Sequence, residues 1–353
     1  MSLTANFSSD NVTGAAPEIL EALVRANAGD ETSYGEDQYS KRVTGRLSEV
    51  FETEVAVFPV ATGSAANVLS LSVIAPSFGA VYCHAESHIN TDECNAPEFY
   101  TAGAKLVPLE GEHGRLTPDT VAGAIAGAGV VHHAQPAALS LSQATESGTV
   151  YTPEALSAMA EICRAQGLSL HIDGARFANA LVYQDVSPAA LTWQAGVDVL
   201  SFGATKNGAL AAEAVVLFGD LRDKAEELGY RRKRGGHLFS KGRVLGAQLE
   251  AYLADDLWLR NARQANATAA RLAEGLTALP GASLRDPVEA NEIFARLPAA
   301  VIEGLRAEGF KFYSWGPEDD PVVRLVTAWC TMEAEVDAFL AAARRHAEAT
   351  AAA

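Results

Sequence analysis

The stretch Ser201-Phe202-Gly203-Ala204-Thr205-Lys206-Asn207-Gly208 decides the reading of this chain. It follows an apolar run, Val197 to Leu200, that reads as a strand entering the interior of a sheet. Lys206 therefore stands on a turn of small residues just beyond a core strand, whereas ordinary lysines sit on solvated helix faces. A desolvated amine gives up its ammonium proton more readily and becomes a nucleophile able to condense with a carbonyl. On this stretch alone, a partly exposed loop lysine explains the pattern equally well.

Upstream, Leu168-Ser169-Leu170-His171-Ile172-Asp173-Gly174-Ala175-Arg176 is a second short apolar run, ending in a carboxylate, a glycine and a guanidinium. A pyridoxal phosphate enzyme needs a lysine for the aldehyde and an ionised acid opposite the pyridine nitrogen. Asp173 and Lys206, each leaving the end of a separate strand, meet that requirement. Either alone is weak, since an acid at a strand end is also a common helix cap. A third stretch, Ala61-Thr62-Gly63-Ser64-Ala65-Ala66-Asn67, is a small-residue turn opening a helix after an apolar strand. Its free backbone N–H groups and hydroxyls suit a phosphate. It lacks the glycine spacing and lysine of a Walker or dinucleotide loop.

Around these stretches, apolar runs alternate with helical ones. Strands are predicted at Val55–Val60, Ala80–Cys83, Lys105–Leu109, Ala138–Leu141, Leu168–Ile172, Val197–Phe202 and Ala214–Phe218, with helices at Pro17–Ala26, Ala65–Ile74, Pro118–Ala126 and Pro153–Gln166. Continuous apolar strands alternating with helices imply an α/β fold with a mostly parallel sheet covered on both faces. Ligands on such sheets gather at the carboxyl ends of strands, where Asp173 and Lys206 fall. Beyond Ser240 the pattern changes to long helices, Val244–Leu253 and Leu257–Leu279, with short strands at Glu292–Leu297 and Val322–Thr327 and a last helix near Glu333–Glu348. The expected organisation is an N-terminal arm (1–14), a large domain (15–243) and a small α+β domain (244–353), reasonable for 353 residues.

A net charge of −17 argues against a nucleic-acid partner, which wants a basic face. No apolar stretch approaches the length of a membrane span. Cys83, Cys94, Cys163 and Cys330 show no metal-type spacing, and without a secretion-signal pattern a reduced, cytoplasmic protein is expected.

The separated motifs together resemble the low-specificity L-threonine aldolases, within the aspartate-aminotransferase-like (fold type I) pyridoxal phosphate enzymes. The resemblance runs from Ser8-Ser9-Asp10-Asn11-Val12-Thr13 to Val323-Arg324-Leu325-Val326-Thr327. It implies that Lys206 holds the cofactor, Asp173 keeps its ring nitrogen protonated and Arg176 hydrogen-bonds the ring. Gly63 and Ser64 hold the phosphate. His88, in Ala85-Glu86-Ser87-His88-Ile89, stacks on the ring close to the bond that breaks. Arg324, amid aliphatics that oblige it to be paired, binds the substrate carboxylate with Ser9, although an internal salt bridge would satisfy it as well. Tyr34, in Tyr34-Gly35-Glu36-Asp37, lies on the substrate side across a dimer interface. The basic stretch Arg231-Arg232-Lys233-Arg234-Gly235-Gly236-His237 reaches the partner subunit's site, Arg234 being favoured for its phosphate.

Two departures stand out. Ser8 replaces the arginine of the family's N-terminal motif, and in Ser142-Gln143-Ala144-Thr145-Glu146-Ser147-Gly148 Thr145 is read as taking the place of a family histidine. The group that takes the β-hydroxyl proton is therefore open. The implied activity is retro-aldol cleavage of L-threonine, L-allo-threonine and related β-hydroxy-α-amino acids to glycine and an aldehyde, in a homodimer or homotetramer with shared sites. A phenylserine-preferring aldolase, a β-eliminating lyase or an aminotransferase remain as alternatives on the same fold.

Overall fold

Seven strands form the larger sheet of the computed structural model, which describes residues 4–316 and 322–351, so that residues 1–3 of the expected arm lie outside it. They are β1 (Ala56–Val60), β2 (Gly79–His84), β3 (Lys105–Leu109), β4 (Gln135–Ser142), β5 (Ser169–Gly174), β6 (Val199–Gly203) and β7 (Glu213–Leu217). All seven fall on the predicted apolar runs, with ends moved by a few residues. Their order is β1-β7-β6-β5-β4-β2-β3. The pairs β2–β3, β2–β4, β4–β5 and β5–β6 are parallel, while β7 runs antiparallel to both its neighbours. Two reversals make β1 run the same way as β6. The carboxyl ends of β1, β2, β4, β5 and β6, and the amino end of β7, therefore share one edge.

The central strands β6 and β7 are buried at every residue, as a sheet covered on both faces requires. An aromatic cluster seals one face, where Phe51 meets Phe218 edge-on at 5.1 Å and Phe202 contacts Phe177, Tyr252 and Trp258. Between strands, His171 bridges Ser140 Oγ (2.8 Å) and Ser201 Oγ (2.9 Å), and burial holds its pKa down to about 4, so it is neutral packing. The exits of β5 and β6 lie too close for side chains. A Cβ on Gly203 would sit 2.5 Å from Ala175 O, and one on Gly174 2.7 Å from Ser201 O.

The second sheet is antiparallel, in the order β10-β11-β9-β8, from β8 (Ser283–Leu284), β9 (Glu292–Arg296), β10 (Tyr313–Trp315) and β11 (Val322–Val326). Its core gathers Phe339, Phe310 and Phe312 with Phe7 of the N-terminal segment. That segment lies between the two chains that lead into β10 and out of β11, since Phe7 N–H donates to Lys311 O (2.8 Å) and Val326 N–H donates to Phe7 O (2.8 Å). The helix Leu257–Thr277 joins both cores, Leu257, Trp258 and Ala262 in the larger and Ala269 to Leu276 in the smaller.

Candidate active site

The shared strand edge surrounds a cavity of about 300 Å³ whose lining includes Gly63, Ser64, His88, Asp173, Arg176 and Lys206. A wider cavity of about 730 Å³ adjoins it through His88, Glu146, Arg176 and Lys206 and adds Ser9 and Arg324. Eight of the ten residues singled out in the sequence thus meet in one place. Tyr34 and Arg234 do not line either cavity; both are exposed. Tyr34 has a left-handed backbone (φ 59°), with the Lys233 ammonium 4.4 Å from its ring centroid. The buried member of the basic stretch is Arg232, which donates to Pro59 O.

Each group is delivered by its element. The helix Gly63–Ile74 begins directly after β1, and Thr62 caps it by accepting from Ala65 N–H at 3.1 Å. The amides of Gly63 and Ser64 belong to the first turn, whose donors have no partner within a helix. Asp173 ends β5 and accepts from Ala175 N–H (3.0 Å) and from Asn67 Nδ2 (2.8 Å). Asn67 also donates to Glu93 Oε1 at 2.9 Å, and the same oxygen lies 2.8 Å from His88 Nδ1. The hydrogen bond to Glu93 raises the His88 pKa against the opposing effect of burial, with the Asp173 charge adding to the rise. Ligating atoms of His88, Glu93 and Asp173 come within 4.8 Å of one another, but the Asn67 amide already bridges the two carboxylates.

The outer cavity has its own charge network. Asp10, fully buried, accepts from Arg176 Nε (2.8 Å) and Nη2 (3.0 Å), and Glu292 sits 2.9 Å from Arg176 Nη1. Arg324 donates from Nη2 (2.6 Å) and Nε (3.2 Å) to the other oxygen of Glu292, and its guanidinium lies 5.5 Å from the Trp315 ring centroid. Burial opposes ionisation of Asp10, yet the charges of Arg176 and Lys206 bring its pKa below the ordinary carboxylate value. Arg176 is thus committed to two carboxylates through all three guanidinium nitrogens while lining both cavities.

The loop after β4 differs from the sequence reading. Thr145 is buried and bonds Thr149 Oγ1 at 2.8 Å; it lines neither cavity. Its neighbour Glu146 lines both. Glu93, Asn67, Asp10, Glu292 and Glu146 were not singled out as site residues in the sequence. Asp10, Asn67 and Glu146 do lie inside stretches quoted above, whereas Glu93 and Glu292 lie in none.

Pyridoxal phosphate asks for a lysine, a hydrogen-bonded acid within reach of a ring nitrogen and a helix start for its phosphate, all around one small cavity. Lys206, Asp173 and the Gly63 turn answer that demand, and the fold is the one shared by the type I enzymes that use this cofactor. The protein is a pyridoxal phosphate enzyme of that class. Comparison narrows the class. Residues 6–300 match the Beta-eliminating lyase family. The chain is 44% identical to the low specificity L-threonine aldolase of Pseudomonas aeruginosa over 93% of its length and 94% of that protein's. It is 41% identical to the enzyme of the same description from a Pseudomonas sp., covering 94% of each. A Leishmania major threonine aldolase structure superposes with a TM-score of 0.90 at 30% identity, over 96% of this chain and 98% of that one. The chain belongs to the low-specificity L-threonine aldolase family within the β-eliminating lyases.

Proposed function

We propose that this protein cleaves L-threonine, L-allo-threonine and related β-hydroxy-α-amino acids between Cα and Cβ, giving glycine and an aldehyde. The observation that carries the reading is the convergence of Lys206, Asp173 and His88 on one cavity that opens into a second holding Arg324.

When bound, pyridoxal phosphate supplies the electron sink for the bond pair left on Cα. Lys206 would hold it, the Gly63 and Ser64 amides would take its phosphate, and Asp173 would keep its ring nitrogen protonated. Asn67 and Ala175 N–H keep the Asp173 carboxylate oriented. Arg324 takes the substrate carboxylate, with Ser9 on the same wall; an arriving carboxylate competes with Glu292 for that guanidinium. His88, anchored by Glu93, sits on the boundary of the two cavities and caps the reacting centre. Arg176, pinned by Asp10 and Glu292, keeps a fixed positive charge at that boundary.

The same reading makes the protein a homodimer or homotetramer with shared sites. It is supported by Tyr34 and Arg234 lying outside their own chain's cavities, on a surface that also exposes Phe99 and Tyr230. A reducing, cytoplasmic location is supported by four free cysteines; among the described residues no helix is long and apolar enough to cross a membrane. We keep the division into an arm, a large unit and a small unit, with Leu257–Thr277 as the helix common to both cores. The outer cavity, walled partly by Tyr313 and Trp315, favours an aromatic side chain as a second reading, a phenylserine-preferring aldolase.

The test is product analysis after adding L-threonine and L-phenylserine separately to cofactor-loaded protein, with Lys206→Ala as the blank. Glycine plus the matching aldehyde is expected, and the two rates rank the side chains. Ammonia plus a keto acid would mean that another bond breaks and would overturn the reading.

A further inference from the structure

If an aldehyde is to leave, some group must take the proton of the β-hydroxyl as the Cα–Cβ bond opens. Two side chains able to exchange a proton stand at the junction of the two cavities, His88 and Glu146. They are not equally suited.

His88 is tied to Glu93 through Nδ1, and that hydrogen bond, outweighing burial, raises its pKa. That contact with the Glu93 carboxylate occupies one ring nitrogen and holds the ring in place. Glu146 is the opposite case. Its Oε1 accepts from Ser142 Oγ at 2.6 Å and from the His88 backbone N–H at 2.8 Å, which fixes the carboxylate. Its Oε2 is buried and has no hydrogen-bond partner among the described residues. A buried carboxylate oxygen without a donor is costly unless something arrives to use it, and this side chain lines both cavities.

We propose that Glu146 is the catalytic base that takes the β-hydroxyl proton through Oε2. This deepens the aldolase reading and rests on it. The O–H proton passes to Oε2, the oxygen's electron pair forms the C=O of the aldehyde, and the Cα–Cβ pair stays on Cα. One proton returns to Cα, and Glu146 releases its own to solvent through the outer cavity, so the sum is neutral.

The charges facing Glu146 fit this duty. Burial, the largest influence, raises its pKa; the Ser142 hydrogen bond opposes that, and the Asp173 charge adds to the rise. A carboxylate made more basic than usual is a better acceptor at neutral pH. Arg176 and Lys206 stand at the same junction, and Arg324, already paired with Glu292, in the outer cavity. Glu146 therefore faces a wall that balances its charge without giving Oε2 a hydrogen bond.

The experiment uses cofactor-loaded Glu146→Gln, in which the amide oxygen can still accept from Ser142 and His88. Three readouts are taken: the visible absorbance and circular dichroism of the bound cofactor, deuterium exchange at the α-carbon of glycine in D₂O, and L-threonine cleavage against pH. Glycine exchange needs cofactor and carboxylate binding but has no hydroxyl to deprotonate. The cofactor spectrum should be unchanged and glycine exchange should stay within about threefold. Threonine cleavage should fall by roughly 10²–10⁴-fold, the range of general-base contributions, and lose the acidic limb of its pH profile. Ser142→Ala, which removes a donor from the carboxylate, should move the wild-type acidic limb to higher pH. Cleavage within threefold of wild type with its acidic limb intact would overturn the proposal while leaving the aldolase reading in place. Parallel loss of glycine exchange and cleavage, or loss of the cofactor spectrum, would also overturn it, making Glu146 structural. If the wild-type protein itself yields ammonia and a keto acid, the parent reading falls and this one with it.

Discussion

Replacing Asp10 with alanine tests how the outer cavity is held. Asp10 receives Arg176 Nε and Nη2 and Asn291 Nδ2, so one fully buried carboxylate joins the N-terminal arm to the exit of β5 and to the residue before β9. Breaking a buried pair by removing one partner costs about 3–5 kcal/mol, because the remaining charge is stranded. Here Arg176 keeps Glu292 at 2.9 Å, which places the loss at the lower end, about 3 kcal/mol. With an unfolding entropy of roughly 2.1 cal/mol/K per residue, the 353 residues give about 0.7 kcal/mol/K, and the melting temperature should fall by about 4 °C. The sign with pH follows from the Asp10 pKa, which lies below its ordinary value of 3.8. Stability from such a group is fully present above the unfolded value and is lost only as pH falls through the folded one. Calorimetry of wild type and Asp10→Ala from pH 8 to pH 5 should therefore show a constant difference. A shift under about 1 °C, or a gap that narrows between pH 7 and pH 5, would refute the assignment of this contact.

Two further outcomes follow from the inner cavity. Glu93→Gln should lower the His88 pKa, read from the imidazole resonances, and cost about 1.5 kcal/mol at pH 5.5, the low end for a charged hydrogen bond because the His88 side chain is 37% exposed. A raised histidine stabilises the fold below its unfolded value of 6.5 and loses that effect as pH rises through the folded pKa, so the two proteins should converge at alkaline pH. Unmoved His88 resonances would contradict this. Glu213, buried beside Lys206 with Oε2 accepting from Ala204 N–H at 2.8 Å, is pushed up to about 7 by burial. An acid raised in the folded state loses stability as pH climbs from 4.5 to about 7, so Glu213→Gln should flatten a slope worth up to about 3 kcal/mol in cofactor-free protein over that window. An unchanged slope by denaturant titration would place its origin elsewhere.

What could be read in advance was whatever repeats locally. The central runs became strands such as β2, β6 and β7 because a sheet covered on both faces leaves no exposed positions to blur the pattern. The position of Lys206 one turn past β6 followed from the same signal. The strand β10 gave none, since Tyr313, Ser314 and Trp315 are all exposed. The wiring of the site was also hidden, because its hydrogen bonds join residues far apart in sequence. Asn67 reaches Asp173 and Asp10 reaches Arg176, and no short motif records such a pairing. In the loop after β4 the segment was located correctly, but not which of two adjacent side chains faces inward. Thr145 is consumed by Thr149 and leaves that position to Glu146. In the basic stretch, the helix Ala225–Arg234 buries Arg232 and turns Arg234 outward, a rotation that charge alone does not specify.

The N-terminal segment has a consequence for the order in which the protein is made. Phe7 is held by Lys311 and Val326, and Asp10 by Asn291 as well as Arg176. Phe7 and Asp10 thus have partners that are synthesised much later in the chain. The larger sheet can close while translation continues, but its outer wall must wait. A nascent chain stopped shortly after Gly219 would carry Lys206, Asp173 and the phosphate turn, yet leave Asp10 without Asn291 and the carboxylate clamp unmade. Synthesis of the segments around Asn291, Lys311 and Val326, and not closure of the sheet, is the step that finishes the site.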